Sequence, residues 1–130
     1  LDCTKLNAEA ARLRDFIQGD PGAILIIEFY GQTRDDLLPK VEALESSLRA
    51  LNGVLHLHRA VEATAQARIW KLRTLALGLS MAEKGDAKAI SFVEDTAVDP
   101  ARLRDYIDEF LQVIARYGTK AGVYAHASVG

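Results

Sequence analysis

Residues 23–30 of this 130-residue chain read Ala-Ile-Leu-Ile-Ile-Glu-Phe-Tyr. β-Branched and aromatic side chains dominate the segment, and apolar residues occupy both faces of an extended chain, which is typical of a strand in the middle of a sheet. The turn-forming sequence Gly-Asp-Pro-Gly precedes it at 19–22, and Gly31 follows it. We therefore predict a central strand at 23–30, within a sheet that neighbouring elements cover.

Segments of helical periodicity alternate with short apolar runs along the chain. In order, they predict a helix over 6–17 capped by Thr4 or Asn7, the strand over 23–30, a helix over 36–51, a strand over 54–60, a helix over 65–79, a strand over 89–94, a helix over 100–117 and a strand over 121–128. Alternation alone favours a parallel α/β sheet, whereas four strands in two layers also fit an open α+β sandwich of the ferredoxin-like type. The residue pattern leaves both architectures open.

Prolines mark the start of two of these helices. Pro39 would clash in a helix interior, so we predict that its helix begins near Asp36 and holds the proline in its first turn. Asp99-Pro100 gives the last helix an N-cap followed by proline at its first position, and Gly118 ends it. The last helix therefore has the strongest boundary signals in the sequence.

Composition and charge exclude several classes of protein. There are 16 Lys and Arg residues against 18 Asp and Glu residues, a net charge of −2, so the chain lacks the basic excess of a nucleic-acid binder. The single cysteine, Cys3, excludes a disulfide scaffold, and no apolar run approaches the roughly 20 residues that span a bilayer. Because the sequence starts at Leu1 without a methionine, we expect 1–130 to be one domain cut from a longer chain.

Two pairs of residues have spacings that suit ligand binding. His56 and His58 alternate along a predicted strand and share a face, but no spacing places a third ligand, which favours polar or interface histidines over a metal site. Trp70 and Arg73 lie three apart on a predicted helix, where an indole wall beside a two-pronged donor suits a small carboxylate. A surface arginine stacked on a tryptophan, with no ligand, is the simpler interpretation of this pair.

Three further residues or pairs have a plain structural interpretation. Glu94-Asp95 ends a predicted strand, and adjacent strand residues face opposite ways, so turn chemistry is favoured over an acid/base pair. Cys3 has no cysteine or histidine beside it and is expected to be an ordinary thiol in a poorly ordered terminus. His126 is followed by small residues that permit close approach of a ligand, although these residues alone favour a half-buried structural histidine.

Three motifs, taken in order, resemble the C-terminal cap domain of FAD-linked oxidases. They are Trp70-Lys71-Leu72-Arg73, Phe92-Val93-Glu94-Asp95-Thr96-Ala97-Val98 and Tyr124-Ala125-His126-Ala127-Ser128-Val129-Gly130. The resemblance covers essentially the whole chain in element order. The family contains D-lactate, glycolate and D-2-hydroxyglutarate dehydrogenases of the vanillyl-alcohol-oxidase type, and the likeness is greatest to large bacterial members fused to an iron-sulfur module.

The resemblance implies that two domains of a longer flavoprotein have different roles. A separate N-terminal domain would hold most of the FAD, and this domain would cover the flavin and line the substrate pocket. It implies that Arg73, beside Trp70, grips the substrate carboxylate and that His126 is catalytic, orienting a 2-hydroxy acid or accepting its proton. The fold class expected from it is α+β, a ferredoxin-like two-layer sandwich with a mostly antiparallel sheet and helices on one face.

Some family features are incomplete in this sequence. His126 matches the first of two histidines that bind a divalent metal in some members, but the chain stops at Gly130, before the second. Val93 stands where some members have a substrate-binding lysine, which leaves the exact 2-hydroxy acid open. An iron-sulfur cluster, where present, would lie elsewhere in the parent.

The sequence thus predicts the substrate domain of an FAD-dependent 2-hydroxy-acid dehydrogenase, inactive on its own. Its expected partners are the FAD-binding domain and the small substrate, without nucleic acid, and cutting it from that domain would expose apolar surface and favour self-association. The resemblance implies a cytoplasmic parent, with peripheral membrane association as a second option. The alternative is a free-standing ferredoxin-like module that binds a ligand or dimerises without catalysis.

Overall fold

Helices are the regular elements of the computed structural model, which describes residues 2–81, 90, 93–94 and 96–129. They are α1 (Asp2–Lys5), α2 (Ala8–Arg12), α3 (Arg34–Arg49), α4 (Ala63–Met81), a 3₁₀ helix (Pro100–Arg102) and α5 (Leu103–Arg116). The chain divides into two compact units, Leu1–Glu83 and Lys84–Gly130. Among the helices described, none has the length and apolar character that a membrane span requires.

The predicted sheet is wrong for the part of the chain that the structure describes. Residues 23–30, 54–60 and 121–126 form no strand, and among the described residues of the first unit no backbone hydrogen bond joins 23–30 to 54–60. Half of the third predicted strand, 89–94, lies outside the described residues. The α+β class and the ferredoxin-like, mostly antiparallel sandwich are therefore contradicted. β-Branched residues favour extended backbone, but a strand also needs a neighbour at ladder spacing to pair its N–H and C=O groups.

The first predicted helix, over 6–17, is wrong in its bounds: only Ala8–Arg12 of it is helical, as α2, and α1 (Asp2–Lys5) lies before the predicted range. The Asn7 side chain accepts hydrogen bonds from the backbone N–H groups of Glu9 and Ala10, both at 3.0 Å, which confirms it as an N-cap. An N-cap residue has extended backbone, here φ −100° and ψ 124°, so the helix cannot run through it. Leu6, expected on the apolar face, is 93% exposed as a result.

The core of the first unit lies where α1 and α2 pack against α4. Ala10 of α2 is fully buried, and Leu72 of α4 is 4% exposed, so a small residue allows the two helices to approach closely. Thr4 of α1 is also fully buried, and its hydroxyl accepts a hydrogen bond from Arg14 Nη1 at 2.7 Å. The predicted helix over 65–79 is confirmed, and α4 is the element on which this unit is assembled.

Helix α3 begins two residues earlier than predicted. The Thr33 hydroxyl accepts from the Asp36 N–H at 3.2 Å, and the Asp36 carboxylate accepts from the Thr33 N–H at 3.0 Å. This reciprocal capping box fixes Arg34 as the first helical residue. Pro39 therefore lies inside the helix rather than in its first turn, and the prediction that placed it in the first turn is wrong.

One bidentate ion pair joins residues 54–60, which follow α3, to that helix. Arg59 donates from Nε and Nη2 to the two carboxylate oxygens of Glu45, each at 2.9 Å. The arginine holds the pKa of the Glu45 carboxyl below its usual value, chiefly through this hydrogen bond. Gly53, with φ +95°, turns the chain between the helix and the segment, as its left-handed backbone allows.

The last helix forms in the second unit as its boundary signals predicted. The Asp99 carboxylate accepts from the Ala101 N–H at 2.8 Å, and Pro100 opens a 3₁₀ turn that continues into α5. Gly118, with φ +65°, follows the helix end. Ile114 is buried, whereas Tyr117, expected on the same apolar stripe, is 81% exposed, because the stripe ends with the last helical turn.

Candidate functional site

Helix α4 brings Trp70 and Arg73 into direct contact. The Arg73 guanidinium carbon lies 5.2 Å from the centroid of the Trp70 ring, as the i, i+3 spacing on a helix favours. Such stacking uses the face of the guanidinium, whereas its N–H donors point outward in the plane. The contact fits both interpretations of the sequence, a carboxylate clamp and a stacked surface pair.

The neighbouring cations of α4 are engaged in ion pairs with the N-terminal part of the unit. Lys71 Nζ lies 2.6 Å from the Glu9 carboxylate, and Arg68 Nη2 lies 2.7 Å from the Asp15 carboxylate. The hydrogen bond from Lys71 holds the pKa of Glu9 below its usual value. These two ion pairs hold α4 against the segment before it, and Arg73 lies on the same helix.

In the second unit, His126 contacts a tyrosine two residues before it. The Tyr124 hydroxyl lies 3.2 Å from His126 Nε2, and the two rings meet edge to face, with centroids 5.2 Å apart and planes at 86°. The His126 carbonyl accepts from the Val129 N–H at 3.0 Å, which closes a turn over 127–129. Arg73 and Trp70 belong to the first unit and His126 to the second, so the structure describes the two groups separately.

His56 and His58 line one wall of an open groove in the first unit. Their ring centroids are 6.5 Å apart, and His58 also contacts the Phe16 ring at 5.5 Å. The groove has a volume of about 330 Å³, and Asp15 and Arg68 also line it. Throughout the described residues, no group of three or more His, Cys, Asp or Glu side chains could hold a metal ion.

The other sequence-based candidates occupy unremarkable positions. Cys3 lies in α1 rather than in an irregular terminus, and its Sγ donates to the Ala76 carbonyl at 3.7 Å. Glu94 is exposed, whereas Asp95 lies outside the described residues. Sequence reasoning did not single out Tyr124, although its i, i+2 spacing from His126 on an extended chain was a usable signal.

Two grooves of the first unit do not fit the phosphates of FAD. A dinucleotide site normally presents a glycine-rich turn that lets backbone N–H groups approach the pyrophosphate. No glycine lines the groove beside His56 and His58, and none lines a second groove of about 330 Å³ beside Arg49 and Val54.

Comparison with known proteins places the chain in a family. Residues 1–130 match the family model for FAD linked oxidases, C-terminal domain. Proteins named D-2-hydroxyglutarate dehydrogenase are similar to it: one from Escherichia coli K12 is 36% identical over 110 residues, and one from Pantoea ananatis is 34% identical over 110 residues, each match covering 81% of this chain. A third, from Pseudomonas putida, is 32% identical over 109 residues, 82% of this chain. The match spans only 11% of the length of each of these relatives, and no solved structure matches the chain.

Proposed function

The chain belongs to the family of C-terminal domains of FAD-linked oxidases, and we propose that it forms the substrate-binding cap of an FAD-dependent dehydrogenase of 2-hydroxy acids. The observation that carries the proposal is the Trp70–Arg73 contact on α4, in a chain whose relatives are named for oxidation of a 2-hydroxy acid. The apolar segments 23–30 and 54–60 of the first unit form no strand, which gives no support to the alternative of a self-sufficient ferredoxin-like module.

Arg73 would bind the substrate carboxylate. Its planar guanidinium can donate two parallel hydrogen bonds to a carboxylate, which fixes the orientation of the acid as well as its position. The Trp70 ring holds the guanidinium at 5.2 Å and covers one face of it with apolar surface, which excludes water from that side. A desolvated, charge-assisted contact of this kind discriminates strongly against substrates that lack the carboxylate.

A separate part of the proposal is that His126 would act on the hydroxyl group of a 2-hydroxy acid. Oxidation of a 2-hydroxy acid to the keto acid releases one proton from the hydroxyl oxygen and one hydride from the adjacent carbon. An imidazole is suited to take the proton, because its basicity lies near neutral pH, whereas bound FAD supplies the hydride acceptor. His126 would therefore orient the hydroxyl or accept its proton.

Further features of the parent protein follow from the same proposal. FAD would be held mainly by another domain of the longer chain. The relatives' name makes a D-2-hydroxy dicarboxylate the first substrate to test, and Val93 in place of a family lysine leaves other D-2-hydroxy acids open. A divalent metal at His126 would need ligands beyond the described residues.

Anaerobic bleaching of the flavin absorbance tests the proposal in the full-length protein. A panel of D- and L-2-hydroxy acids is mixed with the oxidised enzyme, and the same acids without the 2-hydroxyl group serve as controls. We expect one D-acid to bleach the flavin and the deoxy acids to leave it oxidised. Absence of bound flavin, or a flavin that none of the hydroxy acids reduces, would contradict the proposal.

A further inference from the structure

We propose that Asn52 is a site of spontaneous chemical modification, at which the side-chain amide is lost through attack by the backbone nitrogen of Gly53. The two residues lie in the turn between α3 and residues 54–60. The products are an aspartate and an isoaspartate at position 52, and each carries one negative charge more than the asparagine. The proposal concerns this turn alone and is independent of the function proposed above.

The turn leaves both reacting groups open to solvent. Asn52 and Gly53 are exposed, and no hydrogen bond to another described residue holds the Asn52 amide or the Gly53 N–H. A Cβ added at Gly53 would have no neighbour within 4 Å, so the space around the glycine is open. The amide carbon and the backbone nitrogen can therefore approach each other without displacing another part of the chain.

The reaction needs only water besides the chain itself. Solvent base removes the proton from the Gly53 nitrogen, this nitrogen forms a bond to the Asn52 Cγ, and the Cγ–Nδ2 bond breaks to release ammonia, which takes a proton from water as it leaves. Water then opens the five-membered imide. Cleavage of the ring bond to Cγ gives the aspartate, and cleavage of the ring bond to the backbone carbonyl carbon gives the isoaspartate. No atom is oxidised or reduced.

Glycine is the residue that best allows this ring closure. It has no Cβ to obstruct the approach of its own nitrogen, and its backbone has more conformational freedom than that of any other residue. Gly53 has φ +95°, a left-handed conformation that L side chains rarely adopt. The turn after α3 thus favours glycine at position 53, and this glycine makes the amide of Asn52 open to attack.

Asn7, the other asparagine of the sequence, has the opposite arrangement. Its side-chain oxygen accepts hydrogen bonds from the backbone N–H groups of Glu9 and Ala10, both at 3.0 Å, and α2 begins at the next residue, Ala8. These two hydrogen bonds must break before the Ala8 nitrogen can reach the Asn7 Cγ, which should make loss of the amide at Asn7 slower by about tenfold or more. Asn7 is therefore an internal control.

Peptide mass spectrometry of the full-length protein, incubated at neutral pH and at pH 8, tests the proposal. We expect loss of the amide at Asn52 with two products of equal mass that separate by chromatography, the aspartate and the isoaspartate. Asn7 should stay intact over the same period. The rate at Asn52 should be higher at pH 8, because base must remove the proton from the attacking nitrogen.

Two glycine variants test the role of Gly53. Gly53→Ala should slow the loss of the amide at Asn52 by about threefold or more, because alanine lacks the backbone freedom of glycine. Gly118→Ala is the matched control: Gly118 also has positive φ, +65°, but it follows Tyr117 rather than an asparagine. This variant should leave the rate at Asn52 unchanged.

Each contrary outcome overturns the proposal. Loss of the amide at Asn52 that is no faster than at Asn7 does so, and so does an aspartate as the single product, since direct hydrolysis by water would give it alone. An unchanged or higher rate in Gly53→Ala removes Gly53 from the reaction. None of these measurements requires turnover, so a flavin that no hydroxy acid reduces overturns the proposed function without affecting the assignment of Asn52.

Discussion

Arg73 is the residue whose removal should change substrate binding most. Arg73→Ala in the full-length enzyme deletes both hydrogen bonds to the carboxylate, and charge-assisted bonds are worth about 1.5–3 kcal/mol, so kcat/KM for hydroxy acids should fall about tenfold to a hundredfold. Arg104→Ala is the matched control, because its side chain is 90% exposed on α5, and it should leave kcat/KM unchanged. Steady-state kinetics with the best D-acid measure both, and an unchanged constant in Arg73→Ala would remove the arginine from the site.

Removal of His126 should have a different effect, because a general base lowers the free energy of the transition state and contributes little to substrate binding. His126→Ala should lower kcat for flavin reduction by about a hundredfold or more and change KM little, in line with the usual contribution of general base catalysis. His56→Ala, a histidine of the other unit, is the control and should retain full kcat. If His126→Ala lowers only the stability of the protein, the histidine is structural.

At the scale of elements, the start of α3 depends on one hydroxyl. Thr33→Ala removes the acceptor for the Asp36 N–H and should destabilise the helix by about 1 kcal/mol, the usual cost of losing an N-cap. Ser47→Ala, in the middle of the same helix, removes a hydroxyl that donates only to the Ala43 carbonyl and should cost nothing or stabilise slightly. Amide hydrogen exchange over the first turn of α3 in the full-length protein compares the two, and equal protection in both variants would contradict the cap.

Some features of the helices depend only on residues that are close together in the sequence. Asp99-Pro100 and Gly118 predicted the ends of α5 because capping depends on a few adjacent residues, and the i, i+3 spacing of Trp70 and Arg73 predicted their contact for the same reason. The capping box of Thr33 is equally local, and it sets the start of α3 although Pro39 then lies inside the helix. The prediction of a sheet was wrong because a strand must pair with a second segment that is distant in the sequence. A single run of β-branched residues does not determine that pairing.

Contacts between distant positions explain what could not be predicted of the site. Asp15 and Arg68 are 53 positions apart, and Arg59 lies 14 positions beyond Glu45. Charged residues are common, and nothing in the sequence selects one partner over another. The ion pairs that join α4, the helix of Arg73, to the segment before it were therefore visible only in the structure.

At the scale of the whole molecule, large apolar side chains are exposed in both units. Four consecutive residues, Ile24, Leu25, Ile26 and Ile27, are 40%, 68%, 40% and 42% exposed, and Tyr124 of the second unit is 60% exposed. Exposed apolar surface is typical of a region that contacts another protein or domain. These exposed residues support the prediction that the isolated 130-residue chain self-associates.

Ion pairs confined to the first unit predict how its stability depends on pH. The pKa values of Asp2, Glu9 and Glu45 are lowered by hydrogen bonds from Lys5, Lys71 and Arg59, respectively, and that of Asp36 by Thr33. A carboxyl whose pKa is lower in the folded state contributes stability above its ordinary value, here 3.8 for Asp and 4.5 for Glu, and loses it as the pH falls through the lowered value. Lys5, whose pKa is raised by Asp2 and Asp20, contributes below its ordinary 10.5 and loses that contribution as the pH rises through the raised value.

The first unit should therefore be most stable between about pH 5 and pH 10 and should weaken steeply below pH 4. Trp70, the sole tryptophan of the 130-residue sequence, lies in this unit, so its fluorescence during urea unfolding at a series of pH values measures the effect. Glu45→Gln should lower the urea midpoint at pH 7 and converge with the wild type near pH 3, because protonation removes the same charge that the substitution removes. Glu109→Gln, in α5 of the second unit, should follow the wild-type curve throughout. A Glu45→Gln midpoint that stays equally far below the wild type at pH 3 would show that Glu45 stabilises the unit through packing rather than through its charge on Arg59.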